Sequence, residues 1–276
     1  MKIELAENYG FCFGVKRAIK IAEENQNALT YGPLIHNSKE IGRLKKDFKV
    51  GLTEDFKTFK PGDTAIVRTH GIQKQELEEL KKTGVNVVDA TCPYVTKPQE
   101  IAQQMSEAGY CVIIFGDEKH PEIKGVKSYA THGAFIVNNV FDLMNLKLQD
   151  KIALIAQTTR KVEEYMELAN YLIPKCKEVR IFNTICNATF ENQDAVRELS
   201  KKADVMIIIG GKNSSNTKQL ASISHDFCAD SHHIEDEKDL DFSWFQNKKL
   251  CGISAGASTP DWIIQNVIDS IKKNVQ

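Results

Sequence analysis

Three stretches decide how this chain is read: IELAENYGFC at residues 3–12, NVVDATC at 86–92 and VRIFNTIC at 179–186. Each is an apolar, strand-like run ending on a cysteine, and each leads into residues at helical spacing. After Cys12 these are Val15, Ala18, Ile19 and Ala22; after Cys92, Ile101, Ala102, Met105 and Ala108; after Cys186, Val196, Leu199 and Ala203. Cys12, Cys92 and Cys186 therefore each stand at a strand-to-helix junction.

The repetition extends outward. Each helix-like segment is followed by a second strand that ends in polar residues: ALTYGPLIHN, CVIIFGDEKHPE and VMIIIGGKNSSN. From cysteine to polar site is 24 residues for His36, 28 for His120 and 28 for Ser214. A further strand ends in a small polar cluster, AIVRTHG, IALIAQTT or LCGISAGAST, and amphipathic helices such as KQELEELKKTG and PDWIIQNVIDSIKK come next. Strands alternating with helices imply an α/β class with mainly parallel sheets. The expected organisation is three α/β domains at 1–91, 92–184 and 185–276, related by a pseudo-three-fold axis as a trefoil. Strand C-terminal ends are where ligands bind in open α/β sheets, so edges turned inward would bring the three cysteines to one centre.

Composition narrows the function classes. A chain of 276 residues with 42% hydrophobic residues can bury a sizeable core, and a net charge of -1 offers no basic field for nucleic acid. Lys2, Glu4 and Glu7 interrupt what would be the apolar part of a signal peptide, and no run reaches the length of a membrane span. The seven cysteines are odd in number and never closer than ten positions, which argues against a disulfide framework and against a local zinc knuckle. A cytoplasmic, reducing compartment fits.

Three thiolates supply three of the four ligands that a cubane iron-sulfur cluster takes, leaving one iron open. A zinc ion could also take three sulfurs and a water, and the residues alone do not choose. Cys111, Cys176, Cys228 and Cys251 lie in or beside apolar runs and read as buried small hydrophobes. His36-Asn37, His70-Gly71, His120-Pro121-Glu122, Ser214-Ser215-Asn216 and Ser258-Thr259 form a polar set suited to phosphate oxygens at helix N-termini, although a lone Ser or Thr there is more often a helix cap. His132, His225, His232 and His233 fall outside the pattern and read as surface or packing residues. The run Gly210 to Ser214 is not a P-loop, because Met206 takes the first glycine position and Asn213 stands where magnesium needs Ser or Thr. Glu122, two residues after His120, is either a proton donor facing an anionic ligand or a cap of the next helix.

With these residues in view, the sequence resembles the 4-hydroxy-3-methylbut-2-enyl diphosphate reductase family of the non-mevalonate isoprenoid pathway. GFCFGVKRA, GPLIHN, RTHG, DATCP, HPE, QTT, the Ile185-Cys186 run through Thr189, GGKNSSN and AGAST carry the resemblance, in order and over nearly the whole chain. It implies a 4Fe-4S cluster, one per chain, on Cys12, Cys92 and Cys186. It implies a diphosphate held by His36, His70, His120, Ser214, Ser215, Asn216 and Ser258, with Thr158 on the substrate hydroxyl and Glu122 in protonation. The implied reaction is reductive dehydroxylation to isopentenyl and dimethylallyl diphosphate, the last step of that pathway.

Reduced ferredoxin or flavodoxin is the implied electron donor of a bacterial cytoplasmic form, with no nucleic acid or membrane partner and a monomer or weak dimer as the expected state. Asn187 and the run Phe190-Glu191-Asn192-Gln193 depart from the family, many of whose members have a larger side chain and an arginine there. The departure bears on the local surface and not on the ligand set. Two other readings compete: a zinc-dependent hydrolase of a phosphorylated small molecule, separable by metal analysis, and a non-catalytic redox sensor, which would bind a macromolecule without turnover.

Overall fold

The computed structural model describes residues 1–275. The first stretch of chain forms β1 (Lys2–Leu5), α1 (Phe13–Glu24), β2 (Leu29–Tyr31), α2 (Ser38–Phe48), β3 (Gly51–Thr53), β4 (Thr64–Val67), α3 (Lys74–Lys82) and β5 (Asn86–Asp89). The middle forms α4 (Pro93–Glu107), β6 (Cys111–Phe115), α5 (Pro121–Tyr129), β7 (Ala134–Val137), α6 (Val140–Met144), β8 (Lys151–Ala156), α7 (Val162–Leu172) and β9 (Glu178–Ile181). The last forms α8 (Asn187–Ser200), β10 (Val205–Ile209), α9 (Ser215–Phe227), β11 (Ser231–Ile234), β12 (Leu250–Ala255) and α10 (Asp261–Asn274).

The strands make three four-stranded sheets, ordered β3-β2-β4-β5, β7-β6-β8-β9 and β1-β12-β10-β11. Every pairing is parallel, as the alternation of strands and helices demands. The strand leading to each cysteine is an edge strand: β1 before Cys12, β5 before Cys92 and β9 before Cys186. Central strands are covered on both faces, so β10 reads Val-Met-Ile-Ile-Ile with every residue buried.

Two features differ from the sequence reading. β1 pairs with β12 in register Lys2 to Leu250 through Leu5 to Ile253, so the opening strand lies in the sheet of the segment expected at 185–276, not with the rest of that expected at 1–91. Its Ile3 and Leu5 pack against the core of Val205, Ile207, Ile253 and Ile263, which is the apolar face they need. Each sheet also has a fourth strand, β3, β7 or β11, that the repeat does not mark: β3 is three residues and β11 is mostly polar, while β7 is an apolar AFIV with no cysteine after it. These are short edge strands with exposed side chains such as Leu52 and Phe135, so periodicity has little to register.

By contacts, the chain forms two compact units. One comprises residues 1–16, 35–43 and 187–276 and contains the sheet β1-β12-β10-β11. Its sheet has a core on each face, one around Ile253 and Val267, the other around Val196, Ile208 and Leu220. The other comprises 17–34 and 44–186 and contains the remaining two sheets, with cores around Ile114 and Ile123 and around Tyr31 and Val67. Each fully buried aliphatic side chain contributes roughly 1.5–3 kcal/mol relative to exposure. Among the described residues no helix is long and apolar enough to cross a membrane.

Candidate functional site

The three junction cysteines share one backbone device. The Cys92 N–H donates to the Thr69 carbonyl at 3.0 Å, the Cys186 N–H to the Thr158 carbonyl at 3.0 Å, and the Cys12 N–H to the Ala257 carbonyl at 3.2 Å. Each acceptor lies just past the strand beside the cysteine's own, β4, β8 or β12, so the sheet register continues into the loop and fixes the thiol's position. None of the three is in a disulfide, and all are partly exposed, whereas Cys228 and Cys251 are buried. Cys111 and Cys176 are also partly exposed, which corrects their reading as buried residues; each begins or precedes a strand near the sheet's rim. Burial raises the Cys251 thiol to about 12, so this sulfur stays protonated and apolar.

In the larger unit, residues from separate loops form a continuous polar set. His70 and His120 meet edge to face with ring centroids 5.4 Å apart. His120 precedes α5, with Pro121 at the first helical position, and its Nδ1 accepts the Glu122 N–H at 3.2 Å. With Nδ1 accepting, a neutral ring carries its N–H on Nε2. Glu122 Oε1 accepts the Thr158 backbone N–H at 2.7 Å, and its Oε2 accepts the Thr158 hydroxyl at 2.8 Å. The cap is thus made by His120 and not by Glu122, whose carboxyl faces the loop after β8. Glu122 is 2% exposed, and burial raises its carboxyl to about 7, against the opposing pull of the Thr158 bonds and of Arg160.

Gly71 adopts φ +70°, and a Cβ there would stand 2.7 Å from Gln99 Nε2, so the turn after His70 accepts only glycine without displacing that buried amide. Gln99 was invisible to the sequence reading, because a helical glutamine carries no signal of what it packs against.

The smaller unit carries a polar set of its own. Ser214 caps α9 through its hydroxyl, which accepts the Thr217 N–H at 3.3 Å, so its hydroxyl serves the helix as the lone-serine reading allowed. The next turn carries Asn216, 5% exposed, whose amide nitrogen and oxygen are both buried with no hydrogen-bond partner among the described residues. Ser258 donates its hydroxyl to the His36 carbonyl at 3.3 Å, and Asn37 caps α2 by accepting the Glu40 N–H at 3.0 Å. His233 lies outside the repeat and packs structurally, its Nε2 being 2.9 Å from the Gly210 carbonyl. His232 stacks on Trp244 with ring centroids 3.7 Å apart, also a packing role.

A family model described as LytB protein matches residues 3–272 of this chain. The chain belongs to the LytB protein family. Within it, the 4-hydroxy-3-methylbut-2-enyl diphosphate reductase of Sulfurimonas denitrificans is 75% identical over 275 residues, covering 100% of both chains. The protein of the same name from Campylobacter curvus is 63% identical over 273 residues, 99% of this chain and 100% of its own. Among several matching chains of solved structures are two of diphosphate reductases. One, of an (E)-4-hydroxy-3-methyl-but-2-enyl diphosphate reductase described as the terminal enzyme of the non-mevalonate pathway, is 44% identical with TM-score 0.72, covering 98% of this chain and 99% of that one. The other, of the E-1-hydroxy-2-methyl-but-2-enyl-4-diphosphate reductase from Plasmodium falciparum, is 28% identical with TM-score 0.93, covering 99% and 88%. The LytB relatives carry the name of the enzyme family that the motifs resemble.

Proposed function

We propose that this chain, like its relatives named 4-hydroxy-3-methylbut-2-enyl diphosphate reductase, reduces that diphosphate, and that it yields isopentenyl and dimethylallyl diphosphate with Cys12, Cys92 and Cys186 holding a 4Fe-4S cluster. The thiols fit that group: three sulfurs at equivalent junctions, each with its backbone anchored by the same bond, and none consumed by a disulfide. When bound, such a cluster supplies electrons and a Lewis-acidic iron without a protein ligand.

The observation that carries the reading is the Glu122–Thr158 pair. Replacing an allylic hydroxyl by hydrogen consumes two electrons and two protons and releases water, so a buried acid must be protonated near neutral pH. Glu122, raised to about 7, meets that demand. A protonated Glu122 can donate to the Thr158 Oγ1, which frees the hydroxyl hydrogen of Thr158 for the substrate oxygen. The proton then moves along carboxyl, hydroxyl and leaving oxygen, which departs as water and leaves Glu122 as the carboxylate.

The diphosphate falls to His36, His70, His120, Ser214, Ser215, Asn216 and Ser258. His120 offers Nε2–H, and the unpaired Asn216 amide gains the partner it lacks. No divalent cation is needed when several donors and helix N-termini meet the phosphate charge. The electron donor in this reading is reduced ferredoxin or flavodoxin, in a bacterial cytoplasm, with the chain acting as a monomer or weak dimer.

The test is turnover: anaerobically prepared protein, given a reduced donor and the hydroxylated diphosphate, yields both isomeric products. Hydrolysis of the phosphate with no reduction would overturn the assignment in favour of a metal-dependent hydrolase.

A further inference from the structure

Glu40 is a carboxylate on α2 with 1% of its surface exposed, where the sequence shows only a helical acid three residues before an arginine. Its Oε1 accepts Arg43 Nη2 at 2.6 Å and Arg43 Nε at 3.0 Å. Its Oε2 accepts the indole N–H of Trp262 at 2.9 Å, from 222 residues away in the chain. Trp262 is the second residue of α10, the helix that begins directly after Ser258, Thr259 and Pro260. Glu40 in turn sits on the first turn of α2, where its N–H is held by Asn37, the neighbour of His36.

The bond therefore ties two short turns together, one carrying His36 and one carrying Ser258. Other contacts run between the same parts. Ser258 Oγ donates to the His36 carbonyl at 3.3 Å, Lys39 pairs with the buried Asp236, and a Cβ on Gly211 would stand 2.5 Å from the His36 carbonyl oxygen. Together these contacts explain why residues 35–43 group with 187–276 while the chain on either side of them groups elsewhere.

A buried Glu–Arg pair alone is accounted for as local helix structure, since both groups lie on α2. The indole bond is different. An exposed tryptophan, 40% accessible, spends its one polar hydrogen on a carboxylate that already has its arginine. What the third donor adds is the link between the two turns.

We propose that Glu40 and Trp262 are positioning residues for diphosphate binding: their hydrogen bond fixes the spacing between His36 and Ser258. This rests on the reading above that both of those residues meet the diphosphate. Neither Glu40 nor Trp262 touches substrate in this account. Losing their bond leaves the chemistry intact and loosens the grip, which is loss of binding energy and not of transition-state chemistry alone.

The experiment compares wild-type holoenzyme with Trp262→Phe, which removes the indole hydrogen but keeps an aromatic ring at that position. Glu40→Gln is the second variant, since its amide oxygen still accepts the indole N–H. The probes are inorganic diphosphate by titration calorimetry and the hydroxylated diphosphate by steady-state kinetics, with iron content and melting temperature as controls. Trp262→Phe is expected to weaken diphosphate binding and raise KM together by about five- to tenfold, with kcat within about twofold and iron content unchanged. Glu40→Gln is expected to show a smaller rise than Trp262→Phe. Unchanged binding and KM in folded Trp262→Phe would overturn the proposal, as would a fall in kcat at constant KM. Wild-type protein that neither binds diphosphate nor turns over the substrate would remove the functional reading as well, which separates the two failures.

Discussion

Glu122 and Thr158 are joined twice: one carboxylate oxygen takes the threonine's backbone N–H at 2.7 Å and the other takes its hydroxyl at 2.8 Å, with both side chains buried. The backbone bond holds the carboxyl in place whatever its charge, while the hydroxyl bond can reverse direction with protonation. Such a pair positions a proton and also offers it a route.

The first consequence is a pH dependence with a fixed sign. Burial lifts Glu122 from 4.5 to about 7, so in this interval the folded chain holds a proton that the unfolded chain has lost. Its contribution to stability is fully present below the lower value and is lost as pH rises through the upper one. The span corresponds to on the order of 3 kcal/mol. Urea midpoints of wild type and Glu122→Gln across this range should differ in slope, the variant lacking the decline; parallel slopes would contradict the buried-acid account. Over the same titration, kcat should fall as pH rises above about 7.

Glu122→Gln preserves shape and the acceptor for the Thr158 N–H but cannot deliver a proton. Turnover should drop by about 10²–10⁴-fold while iron content and substrate binding stay near wild type. Single-turnover kinetics with calorimetric binding measures both, and near-normal turnover would assign proton delivery elsewhere.

Thr158→Val removes the hydroxyl and leaves the backbone bond. The missing hydrogen bond had favoured the charged carboxylate, so Glu122 should become a weaker acid; kcat should fall because the relay hydroxyl is gone, and the limb of the remaining turnover should move to higher pH. The fold should lose about 1–3 kcal/mol for an unsatisfied buried carboxyl oxygen. A limb that stays put would show that this hydroxyl does not govern the proton.

The cysteines should separate into two classes. Cys92→Ser or Cys186→Ser should lose iron and sulfide with the fold retained, because their junctions are held by backbone bonds. Cys251→Ala should keep its iron and cost about 1–2 kcal/mol in stability, as expected for a small buried side chain losing a sulfur. Iron analysis beside thermal melts distinguishes the two patterns.

What the sequence disclosed was what is local. The strand, cysteine and helix of each repeat lie within a few residues of one another, so spacing and apolar runs placed Cys12, Cys92 and Cys186 at their junctions. The α/β class followed from alternation, and three parallel sheets bear it out. Pairing is non-local, and nothing around Lys2–Leu5 announces that β12 is its neighbour, since any edge strand of similar pattern would satisfy the same rule. Glu122 was ambiguous between acid and cap until His120 was seen to make the cap. Glu40 had no signal at all, because Arg43 makes an ordinary helical ion pair of it and Trp262 stands at the far end of the chain.

The central claim is that Cys12, Cys92 and Cys186 hold a redox cluster that serves the reduction. Iron and acid-labile sulfide measured per chain in protein isolated under strict anaerobiosis test it most directly. The account predicts a brown protein with about three to four iron and about four sulfide per chain. A colourless protein containing only zinc would contradict it.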